Sequence, residues 1–287
     1  MIQNRLWILL ACLSLPVMGL VFWLALHHRY IYSEDCSGLK AFEIQSIGKI
    51  SSPLIDESSG LYPAGNGTFF THNDDTDSSL YIIEAKGKLK HRIWIPLVNR
   101  DWEEVSGDQK GRIFIGDFGN NLNLDKPLKI LIINPEKNKI EGTIRFRYED
   151  HLEFPPKSPS EMNFDCEAMV YWNDSLYLFT KNKTERGTNL YTMPAQPGTY
   201  RIRKKQTLPL LGMVTGAALR PDGKELALLT YGKVYFYSLH QGLQSIPAPD
   251  FCVPGWKFRQ SEAISYWGRD SLLVGNEQGE LFLLNRK

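Results

Sequence analysis

Nowhere in this chain is there a basic block, a Cys/His spacing suited to zinc, or a phosphate-cradling glycine loop. With 33 Lys and Arg against 32 Asp and Glu, net charge +1, no electrostatic footprint for nucleic acid is present. The lack of G-x-S-x-G and of a P-loop removes the nucleophile-elbow hydrolases and the Walker-type NTPases. Cysteine is scarce. Cys12 falls inside an apolar N-terminal run, and the remaining three, Cys36, Cys166 and Cys252, are an odd number that cannot all pair within one chain. A Cys36–Cys252 bridge is conceivable, and three reduced thiols are the other reading. Past residue 40 no helical period is sustained either.

What the chain does have begins with residues 6–26, LWILLACLSLPVMGLVFWLAL, which carry no charged side chain. As a helix they would span about 31 Å, close to the hydrocarbon thickness of a bilayer. A cleaved signal peptide would have a shorter apolar core and a small-x-small site, and none precedes His27. Leu9-Leu10-Ala11-Cys12 faintly suggests a lipobox, but the apolar stretch continues well past the cysteine. Residues 1–30 are therefore expected to form a single-pass membrane anchor, 31–39 a linker, and 40–287 one folded domain. Arg5 on one flank and His27, His28 and Arg29 on the other decide orientation poorly. An anchor at the extreme N-terminus usually serves export, which puts the domain on the extracytoplasmic side, periplasmic or extracellular.

From residue 40 onward, short β-branched and aromatic runs alternate with Gly, Pro, Asn and Asp clusters, the pattern of strands and turns. One hairpin recurs five times: SSGLYPAGNGTFFTHND (58–74), DWEEVSGDQKGRIFIGD (101–117), DCEAMVYWNDSLYLFTKN (165–182), VTGAALRPDGKELALLTYG (214–232) and SEAISYWGRDSLLVGNEQG (261–279). Further strand-like runs follow most copies, among them LYIIEA, HRIWIPL, KILIINP, TIRFRY, NLYTMPA, TYRIRK and KVYFYSL. Aligning the copies places Gly60, Glu103, Glu167, Gly216 and Glu262 in one column, roughly 45 to 65 residues apart, room for a four-stranded unit each time. The last copy is short of one strand, and AFEIQSIGKI (41–50) can supply it by pairing with ELFLLNR at the C-terminus. The expected fold is an all-β propeller of five four-stranded blades, closed by joining the chain ends. A sixth blade could hide in the long second unit, around HLEFPPKSPSEMN (151–163).

In such a ring the start of each inner strand and the end of its neighbour share one mouth. Glu103, Glu167 and Glu262 then converge near the axis. Carboxylates crowded in a narrow channel repel, so either protons or a cation must relieve them. Hard oxygen ligands suit Ca²⁺, which takes six to eight oxygens. Hydrogen bonding of these carboxylates to neighbouring amides or channel water is the plainer alternative. The loops around them carry His72-Asn73-Asp74-Asp75, Gly116-Asp117-Phe118-Gly119-Asn120-Asn121, Lys181-Asn182 and Asn276-Glu277. From these, Asn73, Asp74, Asp117, Asn120 and Lys181 are candidate contacts for a polar ligand or a second cation, and His72 for a proton carrier. The same residue types also make ordinary turns.

The ordered series H-N-D, D-W-E-E, G-D-F-G-N-N, C-E-A-M, T-G-A and S-E-A-I resembles a poorly characterised group of exported bacterial β-propeller proteins over nearly all of residues 55–280. More distantly, the chain is similar to the calcium-activated nucleotidase (apyrase) family. That resemblance implies a five-bladed propeller with a central Ca²⁺ held by Glu and Ser residues at the inner-strand starts. Glu103, Glu167 and Glu262 match its Glu positions. Gly216 stands where a Ser is expected, and Ser59-Gly60 only approximates the first-blade pattern. The family's nucleotide-contacting basic residues have no identifiable counterpart. Three functions compete: a tethered propeller with a structural Ca²⁺ and a mouth that binds an unknown small molecule or protein, a metal-dependent hydrolase of phosphate-containing or other anionic substrates, and a purely structural interaction module.

Overall fold

The computed structural model describes residues 38, 41–184, 186–255 and 258–287. The expected anchor over 6–26 and most of the linker lie outside these residues. No described helix is long and apolar enough to cross a membrane.

Strand β1 (Phe42–Lys49) comes first in the chain but sits last in the ring. Blade 1 runs β2 (Ser58–Gly65), β3 (Thr68–Asn73), β4 (Ser79–Glu84) and β5 (Leu89–Trp94), from the axis outward. Blade 2 has β6 (Trp102–Gly107), β7 (Ile113–Asp117), β8 (Leu128–Asn134) and β9 (Lys139–Tyr148). Blade 3 has β10 (Cys166–Trp172), β11 (Ser175–Thr180), β12 (Arg186–Pro194) and, after β13 (Gly198–Ile202), β14 (Lys204–Leu211). Blade 4 has β15 (Val214–Leu219), β16 (Glu225–Thr230), β17 (Lys233–Ser238) and β18 (Phe251–Pro254). Blade 5 has β19 (Ser261–Tyr266), β20 (Ser271–Asn276) and β21 (Glu280–Arg286), with β1 as its outer strand.

The closure expected from the incomplete fifth unit is present, with Phe42 opposite Arg286 and Lys49 opposite Glu280. Phe42 is buried there, stacked on Phe236 at 4.9 Å, and the Arg286 guanidinium lies 5.2 Å from its ring. Arg286 also reaches across to blade 4, donating to both oxygens of Glu225 at 2.7 and 2.9 Å. The core divides accordingly. Five separate apolar clusters fill the five gaps between neighbouring sheets, each built from inward-facing residues of two blades.

Three readings of the sequence need correction. The five sheets leave no sixth blade, because residues 149–165 form a loop between β9 and β10. The run TYRIRK does not form the outer strand of blade 3. It splits, and β13 instead pairs in parallel with β9, giving blade 2 a fifth strand. Gly142 in β9 makes this possible, since a Cβ there would lie 2.5 Å from the Pro197 ring that leads into β13. Finally, Cys252 is disulfide-bonded while Cys166 is free and buried, which removes the reading of three reduced thiols. Cys36, the partner considered for Cys252, lies outside the described residues.

Candidate metal centre

Four of the five inner strands begin with a slip in their pairing, a β-bulge that leaves one residue unopposed. That residue is Glu103 in β6, Glu167 in β10, Thr215 in β15 and Glu262 in β19. In β2 the slip follows Ser59↔His72. Counting from the equivalent first pairs, Ser58↔Asn73 and Trp102↔Asp117, aligns Ser59 with Glu103. The column is therefore Ser59, Glu103, Glu167, Thr215 and Glu262, one residue earlier in blades 1 and 4 than the Gly60 and Gly216 chosen by sequence. Aligning on glycine hid this, because a bulge shifts the facing of each side chain without changing the repeat length. All five members now carry a side-chain oxygen. Ser59 Oγ donates to the Glu103 carbonyl at 2.8 Å and Thr215 Oγ1 to the Ser261 carbonyl at 2.6 Å, each tying its blade to the next.

Glu103 and Glu167 come together as expected. Their carboxylates, with that of Asp165, have oxygens within 4.8 Å of one another, and Glu103 also groups with Asp74 and Asp101. Asp101 and Asp165 were missed, although each stands two residues before a site glutamate in D-W-E and D-C-E. Glu262 stands apart from both groups and accepts from Tyr231 Oη at 2.9 Å. Three lysines meet these acids: Lys181 Nζ lies 3.0 Å from Glu167 Oε1 and 5.3 Å from the Tyr231 ring centre, Lys183 Nζ 3.4 Å from Asp165 Oδ2, and Lys126 Nζ 2.6 Å from Asp101 Oδ2. Glu103, only 3% exposed, has no hydrogen bond or ion pair to its carboxylate among the described residues. Gly119 leaves room for it, since a Cβ at that position would sit 2.0 Å from Glu103 Oε1.

Proton affinities follow from this crowding. Burial first, then Glu167, Asp74 and Asp165, push the Glu103 carboxyl well above its usual range. Burial and Asp165 do the same to Glu167, against the pull of Lys181. Burial, Glu262 and Asp101 raise Asp74 to about 7, and burial with Glu262 raises Glu277 to about 7. Burial opposes the charge of Lys181, but Glu167, Tyr231 and Asp165 outweigh it and its pKa rises.

Just beyond this cluster Glu104 plugs the channel. It is fully buried, its Oε1 accepts the Val105 N–H at 3.0 Å, and its Oε2 accepts the Ala217 N–H at 3.1 Å. The amides of Met169 and Leu61 bond it as well. One carboxylate thus receives amides from four blades. Burial raises its pKa and the four amides oppose that rise. The second Glu of D-W-E-E was visible in the sequence, but no other copy has it and its role was missed.

The remaining candidates lie elsewhere. His72 is fully buried between blades 1 and 2, edge-on to Trp102 at 5.8 Å, with Nδ1 3.0 Å from the Asn73 carbonyl. Burial lowers its pKa to about 4, so the ring is neutral at pH 7. Asn73 holds the Leu54 carbonyl through Nδ2 at 2.9 Å, and Asn120 closes its own loop by bonding Leu124 in both directions. Asp117 is buried and paired with Lys129 Nζ at 2.8 Å. Of the expected ligand contacts, Asp74 and Lys181 join the glutamates; His72, Asn73, Asp117 and Asn120 shape the strands and loops behind them.

No protein-family description matches the sequence, and no curated protein does. Solved structures do. The PQQ-bound aldose sugar dehydrogenase of Streptomyces coelicolor matches with TM-score 0.50 and 11% identity over 86% of this chain and 98% of that one. A protein of unknown function from Bacteroides thetaiotaomicron gives TM-score 0.49 and 8% identity over 86% and 76%. Virginiamycin B lyase of Staphylococcus aureus gives 0.43 and 13% over 84% and 69%. What is shared is the propeller. At these identities the likeness reaches the fold and stops there.

Proposed function

We propose that this is a membrane-tethered, extracytoplasmic propeller whose acidic mouth holds a divalent cation, Ca²⁺ by the hardness of its oxygens, and presents it to a polar ligand or partner. The observation that carries this reading is the column of equivalent inner-strand positions. Five equivalent backbone positions place Ser59, Glu103, Glu167, Thr215 and Glu262 around one axis. Glu103 is almost fully buried there without a partner for its carboxylate among the described residues, a costly state unless a cation or proton relieves it. With Ser59 and Thr215 in the column, the arrangement also comes nearer to the Ser and Glu pattern of the apyrase-like propellers than the sequence suggested. Anchoring and export rest on the apolar run 6–26 and on the disulfide at Cys252, which suits an oxidising compartment.

Lys181 is the rival occupant, since its ammonium already neutralises Glu167. The two readings separate in one titration. In calcium titrations of the chelator-treated protein, Lys181→Gln should bind more tightly than wild type and Glu103→Gln more weakly, each by about tenfold or more. A wild type whose melting curve is the same with calcium and with chelator would return the cluster to a lysine-neutralised structural network. A screen of phosphate esters and anhydrides under both conditions then asks whether the centre also hydrolyses anionic substrates, using the cation as Lewis acid.

A further inference from the structure

A second cavity lies away from the acidic mouth. It opens at the other end of the channel, among the hairpin turns, with a volume of about 620 Å³. Its floor is the ring of Leu61, Val105, Met169 and Ala217, whose amides are consumed from behind by Glu104. In an antiparallel pair, alternate residues turn N–H and C=O away from the partner strand. The amides of Asp108, Arg220 and Trp267 bond across to Arg112, Glu225 and Ser271 at 3.0, 2.8 and 2.8 Å. The residues just before them, Gly107, Leu219 and Tyr266, therefore point their N–H groups at the axis, as Val105 and Ala217 do two residues earlier. Blade 3 bears this out: the equivalent Tyr171 N–H leaves the ladder and donates to Ser106 Oγ at 3.0 Å. In blade 1 the position is Pro63, which has no N–H.

We propose that this cavity binds a small organic carboxylate with an apolar body, seated on the second ring of amides as Glu104 is on the first. The molecule itself supplies the precedent. Inward amides of this ring geometry already satisfy one carboxylate, and the next set along the axis faces an open space of ligand size. Tyr62 and Trp172 line the wall with aromatic surface for the body. Lys110 stands at the rim, its Nζ 3.7 Å from the Asp174 carboxylate. The carbonyls of Gly107, Leu219 and Tyr266 share the same side as their amides, so an acid with a neighbouring hydroxyl or ammonium group fits better than a plain alkyl acid.

The test uses 3-phenyllactate and its neutral amide, titrated calorimetrically into the full chain. The carboxylate should bind, and the amide at least about tenfold more weakly. Leu219→Pro removes one axial N–H without breaking a ladder bond, as Pro63 already does in blade 1, and should weaken the carboxylate about tenfold. Should that variant not fold, Ser265→Val, which narrows the cavity, should reduce binding while the melting curve stays cooperative. Failure of the carboxylate to bind, equal binding of the amide, or undiminished binding by a folded Leu219→Pro protein would each overturn the proposal. So would binding abolished by Glu103→Gln, which would place the acid at the opposite mouth.

Discussion

Asp74 and His72, two residues apart at the end of one strand, respond to acid in opposite senses. In the metal-free protein Asp74 titrates near 7 instead of 3.8, so the folded state holds a proton that the unfolded chain releases. Its stabilising contribution is complete below about pH 4 and is lost as pH rises through about 7. Glu277 behaves alike. His72, lowered from 6.5 to about 4, contributes above its unfolded value and loses that contribution as pH falls. Asp74→Asn should therefore flatten the decline in chelator-treated melting temperature between pH 4 and 7, and a slope equal to that of wild type would refute the assignment. Glu104 makes a second residue-scale contrast. Glu104→Ala strands four inward amides and should cost about 3–5 kcal/mol in denaturant titrations. Glu103→Gln, measured in chelator, removes repulsion and should cost nothing or stabilise. These two adjacent glutamates show where the sequence stopped being readable. D-W-E-E announces two acids, but only the bulge at Glu103 decides which faces the mouth and which turns to plug the channel.

At the scale of strands, the recurring hairpins were legible because each joins short strands buried on both faces through a turn that only certain residues make. Gly65, Asn66 and Gly67 have φ of 90°, 52° and 73°, and Asn173 and Asp174 have 48° and 57°, backbone shapes that Gly, Asn and Asp tolerate. The outer strands were less legible. β13 reads like any edge strand, and its transfer to blade 2 depends on Pro197 fitting over Gly142, a contact between residues far apart in sequence. β18 escaped notice altogether, being four residues long. The ring closure was inferred by counting strands, and it is open to direct attack. Phe42→Ala should lower stability by about 3–5 kcal/mol, since it empties a buried stack against Phe236 and uncovers the Arg286–Glu225 contact. A change below about 1 kcal/mol in the denaturant midpoint would mean that β1 contributes little to the seam.

Taken whole, the molecule has two chemically different ends joined by a sealed axis. The acidic mouth gathers Glu103, Asp165 and Glu167, the turn end is an aromatic cup, and Glu104 stands between them. Saturating calcium should stabilise the fold by about 2.7 kcal/mol at a hundredfold excess over Kd, read as a rise in melting temperature. The seam at Phe42 and Arg286 has a further consequence, for the order of events in folding. Strand β1, the first of the described strands to leave the ribosome, must wait for β21, the last, before it finds its partner. Blades 1 to 4 can assemble as they are made, but until then the fifth offers bare strand edges to any neighbouring chain. Such distant pairing is slow and exposed to aggregation. A truncation that stops after residue 279 should therefore accumulate as protease-sensitive, self-associating material even though four blades are complete.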